Sequence, residues 1–505
     1  MLQISRGMRH SLMPASRRRK FLVFTLVASA ALASALATNA SSSSSAPATL
    51  HREGPWLVDD AGRVVLLHGV NAVWKRAPYV APKTLAGFTA RDADWIAEQG
   101  FNTVRLGVIF AGVMPKKGVV DPAYLERTNR VVHLLTSRHI WVLLDFHQDL
   151  YTERFFGEGF PAWATNDNGI PLPVNAGFPG NYFQPATSRA FDNFWTNTDG
   201  VQEQYAAAWR AVAKRFRSTP YVLGYDLINE PWPGTQVATC ANPVGCPVFD
   251  TQLLQPFYEK VIAAIRLVDR RHIVWIEPHV LFNDGAQTTL GSLKPLGDDQ
   301  LGLSWHQYCT TAGLTHSSGG KAGPECGPQG ELVANNVAGI TKSQSLAGLL
   351  TEFGASDDLP DIQRVTQLAD SHLFGWQYWH YKEWSDPTTE SQTSGGQGLF
   401  TKDTDLSTLK QAKADILIRP YARAVAGLPT SMHFDLATKT FTFAYDALQA
   451  SGVTEVFLPR RHYPHGYLVS VSGATVVSRP EATALLLQAN GLGTVRLAVR
   501  PRTTP

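Results

Sequence analysis

Between Trp56 and Arg419 eight short apolar runs alternate with stretches of helix length that have a single apolar face. The runs are 64–71, 103–107, 140–149, 222–230, 273–277, 301–308, 348–353 and 375–379, and the helical stretches include 91–99, 124–138, 202–217, 256–269, 361–371 and 406–419. In 202–217, Arg210, Lys214 and Arg217 share a polar face opposite Trp209, Val212 and Phe216, which is the spacing of a surface helix. Strands separated by helices pair in parallel, because parallel neighbours need a crossover between them. Eight is the number that closes a barrel. An open doubly wound sheet is the rival, but it would normally carry a Gly-rich phosphate turn after its first strand, and none follows Asn71. The expected fold is α/β, a TIM (β/α)8 barrel over residues 56–419.

Past Pro420 the texture changes to short alternating segments, at 434–435, 440–445, 455–458, 467–471 and 494–499, separated by Gly, Pro, Asp and Ser. That pattern predicts a small C-terminal antiparallel β-sandwich over 420–505. It has few acids and no Cys, so its expected role is to cover the barrel rather than to carry chemistry.

Chemistry concentrates at one end of the barrel runs. Asn71, His147, Asp149, Asn229, Glu230, His306, Tyr308, Glu352 and Trp379 lie near the C-terminal ends of their strands, the end that carries the active site in such barrels. Two motifs stand out: Leu227-Ile228-Asn229-Glu230-Pro231 at the fourth strand and Leu350-Thr351-Glu352-Phe353-Gly354 at the seventh. They are 122 positions apart in the chain but can face each other across a barrel rim. Glycoside hydrolysis needs such a pair, one carboxyl as acid/base and one as nucleophile or base.

With these motifs the chain resembles glycoside hydrolases of family 5, in which the acid/base ends strand four and the nucleophile ends strand seven. The resemblance implies Glu230 as acid/base and Glu352 as nucleophile. It also matches Arg105, His147, His306, Tyr308 and Trp379 to other active-site positions, and gives Lys75 and Asp149 sugar-hydroxyl contacts. The segments VLLDFHQD (142–149), PAWAT (161–165), RAFDNFW (189–195), YAAAWRAVAKRF (205–216) and YDLINEP (225–231) are similar to those of the endoglycosylceramidases in that family. Those enzymes release a whole glycan from a glycosphingolipid by cutting its link to ceramide.

The residues suit that chemistry on their own terms. Asp145, His147 and Asp149 alternate onto one face of the third strand. His147 and Asn229 can donate to the sugar hydroxyl beside the anomeric carbon, and Tyr308 and Arg105 can hydrogen-bond Glu352 and keep it ionised while Glu230 keeps a raised pKa. Trp379 offers a flat face to a sugar ring. The long connection 150–200 holds eleven aromatic residues, among them Tyr151, Phe160, Phe183 and Trp195. It is expected either to pack on itself or, with Trp232 or Trp384, to give an apolar surface for lipid tails. The expected function is a retaining endo-β-glycosidase acting on glycosphingolipids. The alternatives are an exo-acting glucosylceramidase or steryl-glucosidase, a cellulase-like enzyme, or a non-catalytic glycolipid-binding protein, which the presence of both glutamates opposes. No metal or organic cofactor is expected, since two carboxyls and water suffice.

The N-terminus reads as an export signal. Arg17-Arg18-Arg19-Lys20 precedes an apolar run at 21–37, and small residues before Ser41 offer a cleavage site. The order Arg-Arg-Lys-Phe-Leu is similar to a twin-arginine signal, and 17 residues fall short of the ~20 that span a bilayer. This predicts a cleaved signal over 1–40, a flexible linker over 41–55 and a secreted monomer, with transient contact to a membrane or micelle surface. Of the 45 Lys+Arg, six lie in the first fifty residues with no acid, leaving 39 against 42 Asp+Glu; a slightly acidic body gives no reason to expect nucleic acid. Export makes Cys240, Cys246, Cys309 and Cys326 disulfide candidates. Three pairings are open, and the local one, 240–246 with 309–326, is favoured because each pair closes one short loop.

Overall fold

A computed structural model of the chain describes residues 48–172, 174–292, 296–309, 321–388, 396–448 and 452–502. The export signal and residues 41–47 of the expected linker lie outside the described residues. Strands β4 (His68–Ala72), β5 (Thr103–Val108), β6 (Trp141–Phe146), β7 (Val222–Asp226), β8 (Ile273–Ile276), β9 (Leu301–Gln307), β10 (Ala347–Phe353) and β11 (Gly375–Tyr378) close a parallel barrel in chain order, with β11 beside β4. Each coincides with a run expected from the sequence, except that β4 and β5 reach one residue further, to Ala72 and Val108, and β10 starts one earlier, at Ala347.

Before the barrel, β1 (His51–Glu53), β2 (Trp56–Val58) and β3 (Val64–Val65) form a meander. After it, eight strands follow: β12 (Tyr421–Val425), β13 (Gly427–Asp435), β14 (Thr440–Ala447), β15 (Val453–Phe457), β16 (Tyr467–Ser472), β17 (Ala474–Val476), β18 (Ala484–Ala489) and β19 (Gly493–Pro501). They build two sheets, in the orders β1-β2-β3-β12-β15-β18-β17 and β13-β14-β19-β16. Phe443, Tyr445, Val456, Leu487 and Val499 pack between the sheets. This is the expected antiparallel sandwich, with one correction. Residues 51–65 belong to its larger sheet rather than to a linker or to the barrel. The physical reason is burial: Leu50 is fully buried and joins Leu57, Leu67, Leu143, Leu223, Ile273 and Leu349, an apolar plug at the N-terminal mouth of the barrel.

Two irregularities decide which side chains face the barrel lumen. Alternation along β10 from the inward Leu349 would turn Thr351 inward and Glu352 outward. The pairing with β9 slips by one residue between Leu350 and Glu352, and this bulge turns Glu352 into the lumen opposite His306. In β7 the register with β6 slips between Val222 and Gly224, so inward Leu223 is followed by inward Asp226. Gly224 has φ +152°, and a Cβ there would meet the carbonyl oxygen of Ile273 at 2.0 Å, so the slip requires glycine.

Outer helices anchor the strand ends. In helix Val201–Phe216, the Tyr205 hydroxyl and the Trp209 indole both donate to the carbonyl of Leu227, at 2.8 and 2.9 Å, two residues before Asn229. The hydroxyl of Tyr258, in helix Gln255–Arg266, donates to the carbonyl of Glu277 at 2.5 Å and accepts its N–H at 3.2 Å. Cys240 pairs with Cys246 and Cys309 with Cys326, the favoured local connectivity. No helix among the described residues is long and apolar enough to cross a membrane.

Where barrel meets sandwich, Arg419 forms a fully buried ion pair with Asp370 at 2.7 Å. Burial pushes the Asp370 carboxyl up to about 6, and Arg419 opposes that shift. Arg419→Ala would strand Asp370 without its cation, and a loss of about 3–5 kcal/mol of stability is expected, read by urea unfolding.

Candidate active site

All ten sugar- and bond-facing residues expected from the sequence converge at the C-terminal mouth of the barrel. Arg105, with no exposed surface, stands at the centre. Its Nε donates to Asp226 at 2.9 Å, Nη1 to Asn71 at 3.2 Å and to Glu352, and Nη2 to Asn229 at 2.8 Å while pairing with Asp145 at 3.0 Å. Glu352 therefore receives Arg105 on Oε1 and the Tyr308 hydroxyl on Oε2, the latter at 2.9 Å. The Asn229 amide donates to the carbonyl of Gln148 at 3.0 Å.

Glu230 follows β7 in the left-handed region, φ +43°. Its Oε1 lies 2.7 Å from His306 Nδ1. Burial, reinforced by the charge of Asp149, pushes its carboxyl up to about 8. Burial also raises Glu352, but His306 and Arg105 oppose the shift. Burial lowers His306 to about 4, so the imidazole is neutral at pH 7. An oxygen of Glu230 and one of Glu352 lie within 4.8 Å of each other.

A second polar group flanks this pair. His147 gives Nδ1 to Asp145 at 2.8 Å, stacks on Trp379 with centroids 5.1 Å apart and turns Nε2 toward Asp149 at 3.6 Å and Glu158 at 3.9 Å. Burial opposes its protonation, but Asp145 outweighs burial and holds the pKa at about 10. Lys75 lies 4.7 Å above the Trp379 ring and bonds Asp149, Thr388 at 2.9 Å and Asp386 at 3.0 Å. This buried pair is no ordinary surface ion pair: burial disfavours the ammonium, yet Asp149 and Asp386 keep its pKa well above the usual lysine value. Apart from Cys309–Glu325–Cys326, whose cysteines are joined as a disulfide, two clusters bring three potential metal donors close together, Glu230–His306–Glu352 and His147–Asp149–Glu158. In each, the chain's own donors already engage the carboxylates: Arg105 and Tyr308 in the first, Lys75 in the second.

Sequence reasoning missed Asp226, Glu277, Glu158, Asp386 and Thr388. Glu277 ends the run 273–277, and that position was the available signal; Asp226 lies inside the run 222–230, four residues before Glu230. Glu158 and Asp386 lie in loops without any such pattern. The connection 150–200 resolves mostly as self-packing: Tyr151 stacks on Phe160 with centroids 4.0 Å apart, and Phe191, Phe194 and Trp195 are buried. Phe156 and Phe183 are exposed, Phe183 the more so. Phe183 is 59% exposed and stands edge-on to the Trp232 ring, centroids 5.0 Å apart. Trp384 is buried against Trp74 and offers no free apolar face.

A parallel eight-stranded barrel with two facing carboxyls at its C-terminal mouth, one held by arginine and tyrosine and one by neutral histidine, defines a glycoside hydrolase. The chain belongs to glycoside hydrolase family 5: residues 58–385 match the family described as Cellulase (glycosyl hydrolase family 5), and residues 419–499 match the family 5 C-terminal domain. It is 36% identical over 462 residues to Endoglycoceramidase I of Rhodococcus hoagii (strain 103S), covering 89% of this chain and 88% of that one. Among solved structures it is similar to Endo-glycoceramidase II from Rhodococcus sp. in a ganglioside GM3 complex, with TM-score 0.73 and 29% identity. That alignment covers 89% of this chain and 100% of that chain. The same enzyme as a lactosyl-enzyme intermediate aligns with TM-score 0.70, 29% identity and the same coverage.

Tyr308→Phe removes one donor from Glu352 and leaves the ring in place. A hydrogen bond to a charged group is worth about 1.5–3 kcal/mol, so kcat/KM is expected to fall about ten- to a hundredfold. The acidic limb of its pH profile should move to higher pH, because the ionised form loses its donor.

Proposed function

We propose that this enzyme is a retaining endo-β-glycosidase that cuts the bond between glycan and ceramide in glycosphingolipids, with Glu230 as acid/base and Glu352 as nucleophile. The observation that carries the mechanism is the unequal environment of two carboxyls whose oxygens lie within 4.8 Å. That spacing suits the about 5–5.5 Å separation of retaining enzymes, and a separation of about 6.5–9.5 Å would be needed to seat the water of an inverting enzyme. Protonated Glu230 gives its proton to the glycosidic oxygen as Glu352 attacks the anomeric carbon; ceramide leaves and a glycosyl ester forms on Glu352. Ionised Glu230 then takes a proton from water, which attacks the anomeric carbon and breaks its bond to Glu352, releasing the glycan with its β configuration and returning Glu352 to the carboxylate. His147 Nε2, which faces Asp149 at 3.6 Å, can turn to a sugar hydroxyl, and Trp379 and Lys75 line the same face.

The substrate class is supported by the relatives, which are named for endoglycoceramide hydrolysis and include a ganglioside complex and a lactosyl-enzyme. Exposed Phe183 on Trp232, two residues after Glu230, gives an apolar surface on the leaving-group side. It suits a lipid aglycone and brief contact of a monomer with a membrane or micelle. We also propose export, on the basic-then-apolar N-terminus and the two disulfides, which form in oxidising compartments. N-terminal sequencing of exported protein should find a start near Thr38 or Ser41, and Met1 would contradict export by a cleaved signal.

Hydrolysis of a fluorescent ganglioside, followed by mass spectrometry, should give ceramide and the intact oligosaccharide; a released monosaccharide would mean exo action. The pH profile of kcat/KM should be bell-shaped with its alkaline limb near 8, because activity needs Glu230 protonated and Glu352 ionised. Both limbs are properties of the coupled pair.

The two glutamates can be told apart with azide. With an activated glycosyl fluoride, Glu230→Ala should still form the glycosyl-enzyme and turn over slowly, and azide, which needs no base, should restore turnover as the β-glycosyl azide. Glu352→Ala should yield only the α-azide. The opposite anomers would reverse the assignment.

A further inference from the structure

We infer that Glu277 is a positioning residue for the acid/base step: one buried carboxyl holds Glu230 from two sides, directly at its backbone N–H and through His306 at its carboxyl. Glu277 Oε2 accepts the N–H of Glu230 at 3.0 Å, steadying a residue in the left-handed region that a non-glycine residue adopts only when its surroundings hold it there. Glu277 Oε1 accepts from the Asn283 amide at 3.4 Å and faces His306 Nε2 at 3.7 Å. The other ring nitrogen, Nδ1, is the one 2.7 Å from Glu230 Oε1. Asn283 joins the assembly by accepting the backbone N–H of His306 at 3.0 Å, and Tyr258 fixes the backbone of Glu277 on both its N–H and its carbonyl. Glu277 and His306 have no exposed surface.

A neutral imidazole carries one N–H, and which nitrogen holds it is set by what the other faces. If the N–H is on Nε2, Nδ1 is an acceptor and draws the Glu230 proton away from the leaving group. If it is on Nδ1, His306 donates to Glu230 Oε1, and the proton of Glu230 stays on Oε2, available to the glycosidic oxygen. The groups around the ring select the second state: Nδ1 faces Glu230 Oε1 at 2.7 Å and Glu352 Oε2 at 3.5 Å, both acceptors, while Nε2 faces only Glu277 Oε1, at 3.7 Å. Burial, with Glu230 and Asp226 as like charges, holds the Glu277 pKa well above the usual carboxyl value, and Arg105 opposes them. Tyr258 and Asn283 contribute neutral contacts. That upward shift favours the carboxyl form of Glu277, the form that suits a bare Nε2 opposite it.

The inference rests on the reading of Glu230 as acid/base, and the test separates the two. In the full-length enzyme, Glu277→Leu should lose about ten- to a hundredfold in kcat/KM on lactosylceramide but within about threefold on lactosyl fluoride, whose departure needs little general acid. Its alkaline limb should move up, because Glu230 then shares its proton with Nδ1. Glu277→Gln, whose amide can both accept from Glu230 and donate to His306, should recover most of the loss. Equal loss on both donors with an unmoved limb, or Glu277→Gln no better than Glu277→Leu, would overturn the inference. Independently of any variant's folding, ¹⁵N spectra of histidine-labelled wild-type enzyme at neutral pH should show His306 protonated on Nδ1, and an Nε2–H tautomer overturns it. Failure of azide to restore Glu230→Ala would strike the acid/base assignment alone, since the tautomer is read without it.

Discussion

The upper half of the barrel depends on one buried guanidinium. Arg105 is fully enclosed, and a charge without water is tolerated only when its partners replace the lost hydration. Five groups from the ends of four strands do so: Asn71, Asp145, Asp226, Asn229 and Glu352. The planar fork sets their directions as well as their charge, which a lysine ammonium would not do. Because Asn71 also donates to the carbonyls of Thr351 and Gln377 at 2.7 and 3.1 Å, the same network ties β4 to β10 and β11. Catalytic geometry and barrel closure are therefore one structural problem, solved around one side chain.

That solution needs the lumen to change character along its height. Leucines and isoleucine fill the N-terminal mouth, Thr103, Ser304 and Gln377 the middle, and charged groups the C-terminal mouth. Strict alternation could not deliver this on every strand. The slips at Gly224 and Thr351 reset the phase on β7 and β10, the strands that carry the paired carboxyls. Each places an acid inward above a leucine that also faces inward.

This explains what was legible in the sequence. Periodicity reports burial and the spacing of faces, so all eight barrel strands could be read, and the ends of those runs pointed to the sugar- and bond-facing residues other than Lys75 and Arg105, which the family resemblance supplied. Reading stopped where burial comes from distant partners. His51–Glu53 looks like linker because its pairing partner is Trp56–Val58 and its sheet is completed by β12, more than 350 residues later. Helix Cys326–Gln344 was not recognised: its glycines at 327, 330 and 339 and small residues blur the apolar stripe. The aromatic wealth of 150–200 is visible in the sequence, but aromatic side chains serve packing and binding alike, and only the fold separates buried Tyr151 from exposed Phe183.

The two glutamates show why motif and role are different kinds of knowledge. As side chains they are identical, and burial pushes both toward the protonated form. What divides them is the neighbourhood. Glu352 has a permanent cation and a phenol donor, so its ionised form is the one the site solvates. Glu230 has a neutral imidazole backed by a second buried acid, and the charge of Asp149 adds to burial in favouring its proton. Splitting the pKa values of two like groups is how a site obtains an acid and a base at one pH. Here the split is supplied by residues on β5 and β9 and at the end of β8, none of which bears either carboxyl. The acid/base pair is thus a property of the barrel rim as a whole, and a chain that kept both motifs but lost Arg105, Tyr308 or His306 would keep the signature without the chemistry.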